Sequence, residues 1–296
     1  MDQGIINYLI TGMASGFVYS MVAIGFILIF KCSKIFNFAQ AEVTILGAYI
    51  FYAATIQLKL PLFFGALLTI GTVTVLALMI ERVLLRPLIG QPILPIIILT
   101  LALGSLIRGG IILGWGSEML RPPSLFPAKG LSLGTLGNLS YPHVFFFLVS
   151  CVLILSLSIY YRYSRGGLAM RVTADDTVVA RLLGIKVTRV LATTWSIASV
   201  VGAVGGVLLT SVTGIHYSAV EMGFKSMTVA LVGGLESLPG AIIVGPLLGV
   251  IETMVAVYLD PLVGGGLSEV SGFFVLMIVL IFRPYGIFGW EIIERV

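Results

Sequence analysis

The sequence is poor in charge and in cysteine. Only 10% of its 296 residues are charged, whereas soluble domains carry roughly a quarter. Hydrophobic residues make up 58% of the chain, and its mean hydropathy is +1.12. This composition excludes an ordinary soluble domain and predicts one integral membrane domain over residues 1–296.

The two cysteines, Cys32 and Cys151, lie in or beside separate apolar runs. We expect free thiols, because such a pair does not make the disulfide framework of a small secreted domain. No basic residue precedes the first apolar run, so we expect that run to be retained rather than cleaved as a signal peptide. The net charge of +4 requires no nucleic acid partner, because cytoplasmic loops of membrane proteins are enriched in Lys and Arg.

Motifs of enzymes and metal proteins are also missing. No Cys/His cluster has the spacing of metal ligands, and no Ser/His/Asp set points to a nucleophile. No G-x-x-x-x-G-K-[ST] loop is present to bind nucleotide phosphates. We therefore expect no catalytic site, no metal and no cofactor.

Apolar runs recur along the whole chain and predict membrane helices, since a strand edge exposed to lipid would leave backbone groups without partners. We expect an all-α polytopic bundle of about eight to nine membrane segments, one of them a broken or half helix. The runs cover 5–30, 38–58, 61–80, 93–115, 143–161, 190–212, 224–235, 239–259 and 267–282.

The stretch 224–259 is too long to be one helix. At ~1.5 Å per residue it would reach about 54 Å, far beyond a hydrocarbon core of ~30 Å. The sequence GGLESLPG at 233–240 supplies the break through two glycines, a charge and Pro239. We predict a short half-helix, a bend and then a full span.

Four of the runs carry glycines four residues apart, a spacing that lets helix backbones approach closely in lipid. We interpret these glycines as packing positions rather than as chemistry. They are Gly12/Gly16, Gly110/Gly114, Gly202/Gly206 and Gly245/Gly249.

Basic residues are concentrated in alternate connections, which predicts the orientation. The connections 31–37, 81–91 and 162–189 and the C-terminus hold most of them and are assigned to the cytoplasm. The N-terminus is then outside. The opposite side holds Lys59, Arg121, Lys129 and Lys225.

The connection 162–189 is the most charged part of the chain. We predict that Thr173 caps a short helix whose first turn carries Asp175 and Asp176, and that Gly184 ends it. The helix would carry an apolar stripe, and three environments remain open for it: an anionic lipid surface, water, or a groove in a cytoplasmic partner. The stripe consists of Val178, Val179, Leu182 and Leu183.

Asn37 and Gln40 have the spacing of a capping box, so the second helix is expected to start near Phe38. The two side chains are also candidates to line the cytoplasmic end of a transport pathway. Glu42 is the better candidate, because it has no capping role.

Several motifs occur in the same order and spacing as in a known family, over about residues 5–289. Ala180 and Gly184, four apart in a charged connection, resemble the coupling loop of ABC importer permeases. The chain as a whole is similar to the branched-chain (hydrophobic) amino acid permease family. The motifs are NFAQAE (37–42), ERVLLRPL (81–88), YRYSRGGLAMRVTADDTVVARLLGI (161–185), GGLESLPGA (233–241) and RPYGIFG (283–289).

This resemblance implies a translocation subunit in the bacterial cytoplasmic (inner) membrane, surrounded by lipid. It would pair with a second related permease or a copy of itself, with two ATP-binding subunits inside and an extracytoplasmic solute-binding protein outside. A branched-chain amino acid would be the substrate, with urea, short amides or an aromatic acid as alternatives. The residues expected to contact the ATPase are Asp175, Asp176, Val179, Ala180, Arg181, Leu182, Leu183 and Gly184.

Charged and helix-breaking residues at membrane depth are the other candidate pathway positions, since each needs a partner or a function. Arg108 has three alternatives: it extends towards the outer surface, pairs with an acidic residue such as Glu42, Glu236 or Glu252, or faces a substrate carboxylate. The breakers Gly233 and Gly234 are equally compatible with a simple bend. The external loop 116–142 either docks the binding protein or only connects two spans.

Two other function classes are open at this stage. A self-sufficient secondary transporter also uses broken helices, and Glu42, Glu236 and Glu252 would then couple ions. A channel or scaffold is the third alternative. Both lack the dependence on separate ATPase chains that the resemblance implies.

Overall fold

The structure is a computed structural model that describes residues 2–88, 92–122, 131–132 and 138–289. Nearly all of these residues are helical, which confirms the all-α prediction. The described strands are β1 (Leu131–Ser132) and β2 (Asn138–Leu139), which pair antiparallel. They form a small ladder between the helices that precede and follow them in sequence.

Twelve α-helices are described. Short π and 3₁₀ segments extend α2 (53–57) and α3 (81–88) and precede α9 (217–219). The helices are α1 (Asp2–Ser33), α2 (Gln40–Tyr52), α3 (Leu62–Ile80), α4 (Ile93–Trp115), α5 (Tyr141–Tyr163), α6 (Arg165–Asp175), α7 (Thr177–Leu182), α8 (Val187–Thr213), α9 (Val220–Gly233), α10 (Leu238–Tyr258), α11 (Asp260–Val263) and α12 (Leu267–Phe282).

Six helices in the described part of the chain are long and apolar enough to cross a membrane. They belong to α1, α3, α4, α5, α8 and α10, and α12 is a shorter apolar helix. The chain is therefore a multi-pass membrane protein.

The predicted break between two helices is confirmed. Helix α9 ends at Gly233 and α10 begins at Leu238. Gly234 between them has a φ of +99°, which favours glycine. Ser237 caps α10, its hydroxyl accepting from the backbone N–H of Gly240 at 3.1 Å. The half-helix starts at Val220, four residues before the predicted start.

The C-terminal segment 283–289 supports this break. The N–H groups of Ile287 and Phe288 donate to the carbonyl oxygens of Val232 and Gly233, at 2.8 and 3.3 Å. These carbonyls lie at the end of α9, where helical partners are lacking. Two sequence motifs, GGLESLPGA and RPYGIFG, thus form one backbone structure.

The chain divides into two compact units. The first contains Met1–Ile27, Leu125–Val152 and Phe224–Val296, and the second contains Leu28–Ser124 and Leu153–Gly223. In the first unit, Gly12 and Gly16 of α1 pack directly on Gly249 and Gly245 of α10. Two of the predicted glycine pairs therefore pack against each other.

In the second unit, α2 packs on α8 in the same way. Gly202 and Gly206 of α8 lie against Gln40 and Thr44 of α2, without room for a side chain. The remaining predicted pair differs, because no other part of the described chain lies within 4 Å of where a Cβ on Gly110 or Gly114 would be. Close packing is thus confirmed for three of the four pairs.

The substitution Gly249→Ala tests the contact between α1 and α10. An added Cβ would overlap the carbonyl oxygen of Gly12, and we expect a loss of about 1–3 kcal/mol of stability from overpacking against rigid backbone. The measurement is thermal unfolding of the purified protein in detergent. Gly110→Ala is the matched control and should cause no loss; equal effects of the two substitutions would contradict this packing.

Candidate functional site

The segment before α2 does not form the predicted capping box. Helix α2 begins at Gln40, and its N-cap residue Ala39 makes no side-chain cap. The side-chain oxygen Oδ1 of Asn37 accepts from the Ala39 N–H at 3.1 Å, and the side-chain Nδ2 of Asn37 donates to Gln40 Oε1 at 3.4 Å. The predicted start near Phe38 is two residues too early. The capping box does not form because the Gln40 side chain has a distant partner.

That partner is in α8. The Gln40 amide Nε2 donates to the carbonyl oxygen of Ala198 at 2.7 Å, and the side chain is completely buried. Gly202 lies one turn further along α8, where a Cβ would be 2.8 Å from Gln40 Nε2. The amide therefore fixes the start of α2 against α8 and requires a residue without a side chain at 202.

Glu42 and Arg108 form an ion pair between α2 and α4. The contact is Arg108 Nη2 to Glu42 Oε1 at 2.9 Å, with side chains 40% and 8% exposed, respectively. Of the three alternatives for Arg108, the structure shows pairing with Glu42. Glu42 Oε2 and Arg108 Nε are both buried and have no hydrogen-bond partner among the residues that the structure describes.

A second contact between α2 and α4 lies two turns further on. Tyr49 and Trp115 each follow a member of the ion pair by seven residues, and their ring centroids are 5.4 Å apart. The Tyr49 hydroxyl is buried, and no described residue forms a hydrogen bond with it. Sequence reasoning missed this pair, although the shared spacing of seven residues was visible.

Gly233, Gly234 and Glu236 lie in the first unit and serve the bend between α9 and α10. Gly233 packs on the backbone of Gly240, and Gly234 packs on the backbone of Gly289. Glu236 is half-buried in the turn. These contacts explain the two glycines by packing, and a role in the pathway stays a prediction.

Another ion pair in the first unit was not predicted. Lys225 was assigned to an outer connection but lies inside α9, where its ammonium contacts the carboxylate of Glu252 in α10. Both side chains are mostly buried, 12% and 21% exposed. Glu252 also interacts with the buried Tyr19.

The charged connection 162–189 folds into two short helices, and its capping differs from the prediction. Asp176 caps α7, accepting from the N–H groups of Val178 at 2.6 Å and Val179 at 3.1 Å. Thr173 was the predicted cap, but it is buried inside α6 and donates to the Ala169 carbonyl at 2.8 Å. Asp175 is the last residue of α6 rather than part of the first turn of the next helix.

Helix α7 exposes its apolar side chains. Ala180 is fully buried in a cluster with Cys32 and Met170, whereas the predicted stripe faces outward. Gly184, with a φ of +79°, ends the helix as predicted. Arg181 is also exposed. The exposed fractions are Val178 62%, Val179 45%, Leu182 82% and Leu183 67%.

A cavity of about 350 Å³ lies beside the end of α7. It is bounded by Tyr160 at the end of α5, by α6, by the turn at Gly184 and by the first turns of α8. Lys186 and Arg189 give its rim a positive charge. Together with α7 this cavity makes a surface with both apolar and cationic parts.

Much of the predicted external loop 116–142 lies outside the described residues. Its first residues are held by Leu120, which exchanges two backbone hydrogen bonds with Ile215, at 2.8 and 2.9 Å. Helix α5 begins at Tyr141. Docking of a binding protein on this loop stays a prediction.

Comparisons with known proteins show extensive similarity. The profile of a family described as "Branched-chain amino acid transport system / permease component" matches residues 8–282. The high-affinity branched-chain amino acid transport system permease protein LivH of Escherichia coli (strain K12) is 31% identical over 304 aligned residues, which cover 98% of this chain and 97% of LivH. BraD of Pseudomonas aeruginosa, which carries the same description, is 31% identical, and 98% of each chain is covered.

A solved structure has a similar fold. A chain in the structure of PsaBC from Streptococcus pneumoniae in complex with Fab matches with a TM-score of 0.51 and 15% identity. The match covers 94% of this chain and 91% of that one. At this level of identity the similarity concerns the fold alone.

The cap of α7 is tested by Asp176→Ala. Loss of the two hydrogen bonds should destabilise the helix by about 1 kcal/mol, so backbone amides of α7 should exchange with deuterium several times faster. Asp175→Ala removes a carboxylate one residue away that makes no cap, and α7 exchange should then stay as in the wild type. Equal exchange in both variants would show that Asp176 does not hold the helix.

Proposed function

Because the chain belongs to the family of permease components of branched-chain amino acid transport systems, we propose that it forms the membrane pathway for branched-chain amino acids in an ABC importer. The family profile covers most of the chain, and the relatives LivH and BraD are covered almost end to end. Six long apolar helices fit this role.

The observation that carries the mechanism is the exposed apolar side of α7. A contiguous exposed apolar patch on a soluble surface marks an interaction site, and an amphipathic helix commonly docks into a groove of its partner. Helix α7 is already folded, since Asp176 caps its start and Gly184 ends it. A preformed helix loses little conformational freedom when it binds.

In the proposed complex, Val179, Leu182 and Leu183 enter a groove of an ATP-binding subunit. The exposed Asp175, Asp176 and Arg181 border that contact. Ala180, which is fully buried against α1 and α6 residues, attaches α7 to the rest of the unit. Movement of the ATPase is therefore transmitted to the helices, which switch between inward-open and outward-open states.

The partners follow from the same proposal. Two ATP-binding subunits supply the energy, a second permease or a copy of this chain completes the pathway, and an extracytoplasmic solute-binding protein delivers the substrate. The connection that contains α7 lies on the cytoplasmic side, in agreement with its basic residues. The N-terminus is then outside and the C-terminus inside. If α2, α9 and α12 also enter the membrane beside the six longer helices, the total is nine segments, the upper end of the predicted eight to nine.

We place the transport pathway at the polar residues that lie within the membrane in the proposed topology. In the second unit these are Asn37, which donates to Gln40, and Glu42, which pairs with Arg108. In the first unit the bend with Gly233, Gly234 and Glu236 contributes irregular backbone, which in transporters occurs where it lines a cavity or is covered by protein.

Transport by the reconstituted complex tests the importer mechanism. We expect uptake of L-leucine into vesicles to require both the ATP-binding subunits and ATP, to stop with vanadate and to continue with a protonophore. An ion-coupled transporter would show the reverse response to the two inhibitors. Leucine uptake by this chain without ATP-binding subunits would contradict the proposal.

The substitution Leu182→Asp tests the docking of α7. A carboxylate in an apolar groove loses its hydration without a partner, so we expect co-purified ATPase and ATP-driven uptake to fall at least about tenfold, since burial of an uncompensated charge costs several kcal/mol. Insertion and folding should be unchanged, because Leu182 is 82% exposed.

Thr177→Asp is the matched control for this experiment. It adds the same charge to the exposed first residue of α7, where the helix dipole favours an anion, and it leaves the apolar stripe intact. Assembly should then be retained. Normal transport in Leu182→Asp would show that α7 does not bind the ATPase through this side.

A further inference from the structure

Two Glu–Arg ion pairs of the second unit have nearly the same burial. Both carboxylate oxygens are bonded to the guanidinium in one pair, and only one oxygen is bonded in the other. Glu81 and Arg86 have side chains 3% and 41% exposed, and Arg86 Nε and Nη2 reach both carboxylate oxygens, at 3.4 and 3.2 Å. Glu42 and Arg108 are 8% and 40% exposed and share one contact. The difference is therefore one of geometry rather than of burial.

The single contact leaves one acceptor of the carboxylate and one donor of the guanidinium unused. Within the described ranges of the chain, Glu42 Oε2 and Arg108 Nε are both buried and lack hydrogen-bond partners. Buried charged groups normally fill their hydrogen bonds, since an unfilled one loses its hydration without compensation. A carboxylate oxygen accepts from an ammonium group, and a guanidinium N–H donates to a carboxylate.

We propose that this pair binds the backbone of a zwitterionic α-amino acid during transport. The ammonium group of the substrate donates to Glu42 Oε2, and its carboxylate accepts from Arg108 Nε. This inference rests on the proposed function and identifies the part of the substrate that the permease itself recognises. Arg108 is the more exposed member and is the side from which the substrate approaches.

The same geometry separates the substrate classes that fit this family. An aromatic acid without an ammonium group would bring its carboxylate next to the buried carboxylate of Glu42, and the like charges repel. Urea or a short amide has no net charge at either end and leaves both charged groups without a charged partner. A zwitterion supplies both partners at once.

Gly104 of α4 is part of this site. A Cβ at this position would lie 3.0 Å from Glu42 Oε2 and 3.1 Å from Cδ. Any side chain there would cover the free carboxylate oxygen. Because the Cβ would also lie 3.3 Å from Glu42 Oε1, we expect Gly104→Ala to crowd the whole carboxylate and to weaken substrate binding.

The test is direct binding of radiolabelled L-leucine to the purified complex of permease and ATP-binding subunits, without the solute-binding protein. Unlabelled L-leucine, L-leucinamide and 4-methylpentanoate compete; the second lacks the carboxylate and the third lacks the ammonium group. In the wild type, leucine should compete at concentrations about tenfold lower than either analogue, as expected for one hydrogen bond to a charged group.

Two substitutions then assign each end of the substrate. In Glu42→Gln the advantage of leucine over 4-methylpentanoate should fall to within about twofold, while its advantage over leucinamide persists, as in a double-mutant cycle. In Arg108→Gln the pattern should reverse. Glu81→Gln makes the same chemical change at matched burial and should lower thermal stability without changing either ratio.

Several outcomes would overturn the site. If the ion pair were purely structural, either substitution would weaken the binding of all three ligands in parallel. Absence of leucine binding in the wild type would also overturn it, even with ATP-driven leucine uptake intact, in which case the proposed function would stand. The binding assay uses the assembled complex but no ATP, so a failure of ATP-driven coupling would not change its result.

Discussion

The hydrogen bond from Gln40 to α8 determines where α2 begins, and the position of Glu42 follows from it. The Gln40 side chain is completely buried and donates to the carbonyl oxygen of Ala198. A buried amide without a partner would cost roughly 1–3 kcal/mol, so α2 is held at one height against α8. Two residues later Glu42 meets Arg108, and seven residues after that Tyr49 meets Trp115.

This arrangement is possible because helices approach closely in both compact units. Hydrophobicity does not drive helices together in lipid, and small residues let backbones make van der Waals contact instead. In the second unit Gly202 and Gly206 give α2 its place on α8, and in the first unit Gly16 and Gly245 do the same for α1 and α10. Small residues thus carry the packing, and the few polar groups are left to specify register.

Features that depend on length or on local backbone chemistry could be predicted from the sequence. The break after Gly233 follows from a run too long for one span, and Gly184 ends α7 because glycine adopts its positive φ readily. Features that depend on distant partners could not. Gln40 fits a capping box by spacing but bonds to Ala198, 158 residues away. Thr173 is a good cap by type, yet packing buries it inside α6 and the cap is Asp176.

The two candidate functional features are the Glu42–Arg108 pair and the exposed side of α7. Each differs from a comparable feature elsewhere in the second unit. In the Glu81–Arg86 pair both carboxylate oxygens accept a hydrogen bond, yet in the described part of the chain Glu42 Oε2 accepts none. Likewise, Ala180 shows that α7 packs its small side into the unit, yet Leu182 and Leu183 face outward. Such local conflicts persist where function compensates for them. An open pair of opposite charges at membrane depth suits a ligand that brings both charges, and an exposed apolar helix in a basic connection suits a protein groove. Since both features lie in one compact unit, a movement imposed at α7 has a continuous covalent and packed route through α8 to the start of α2.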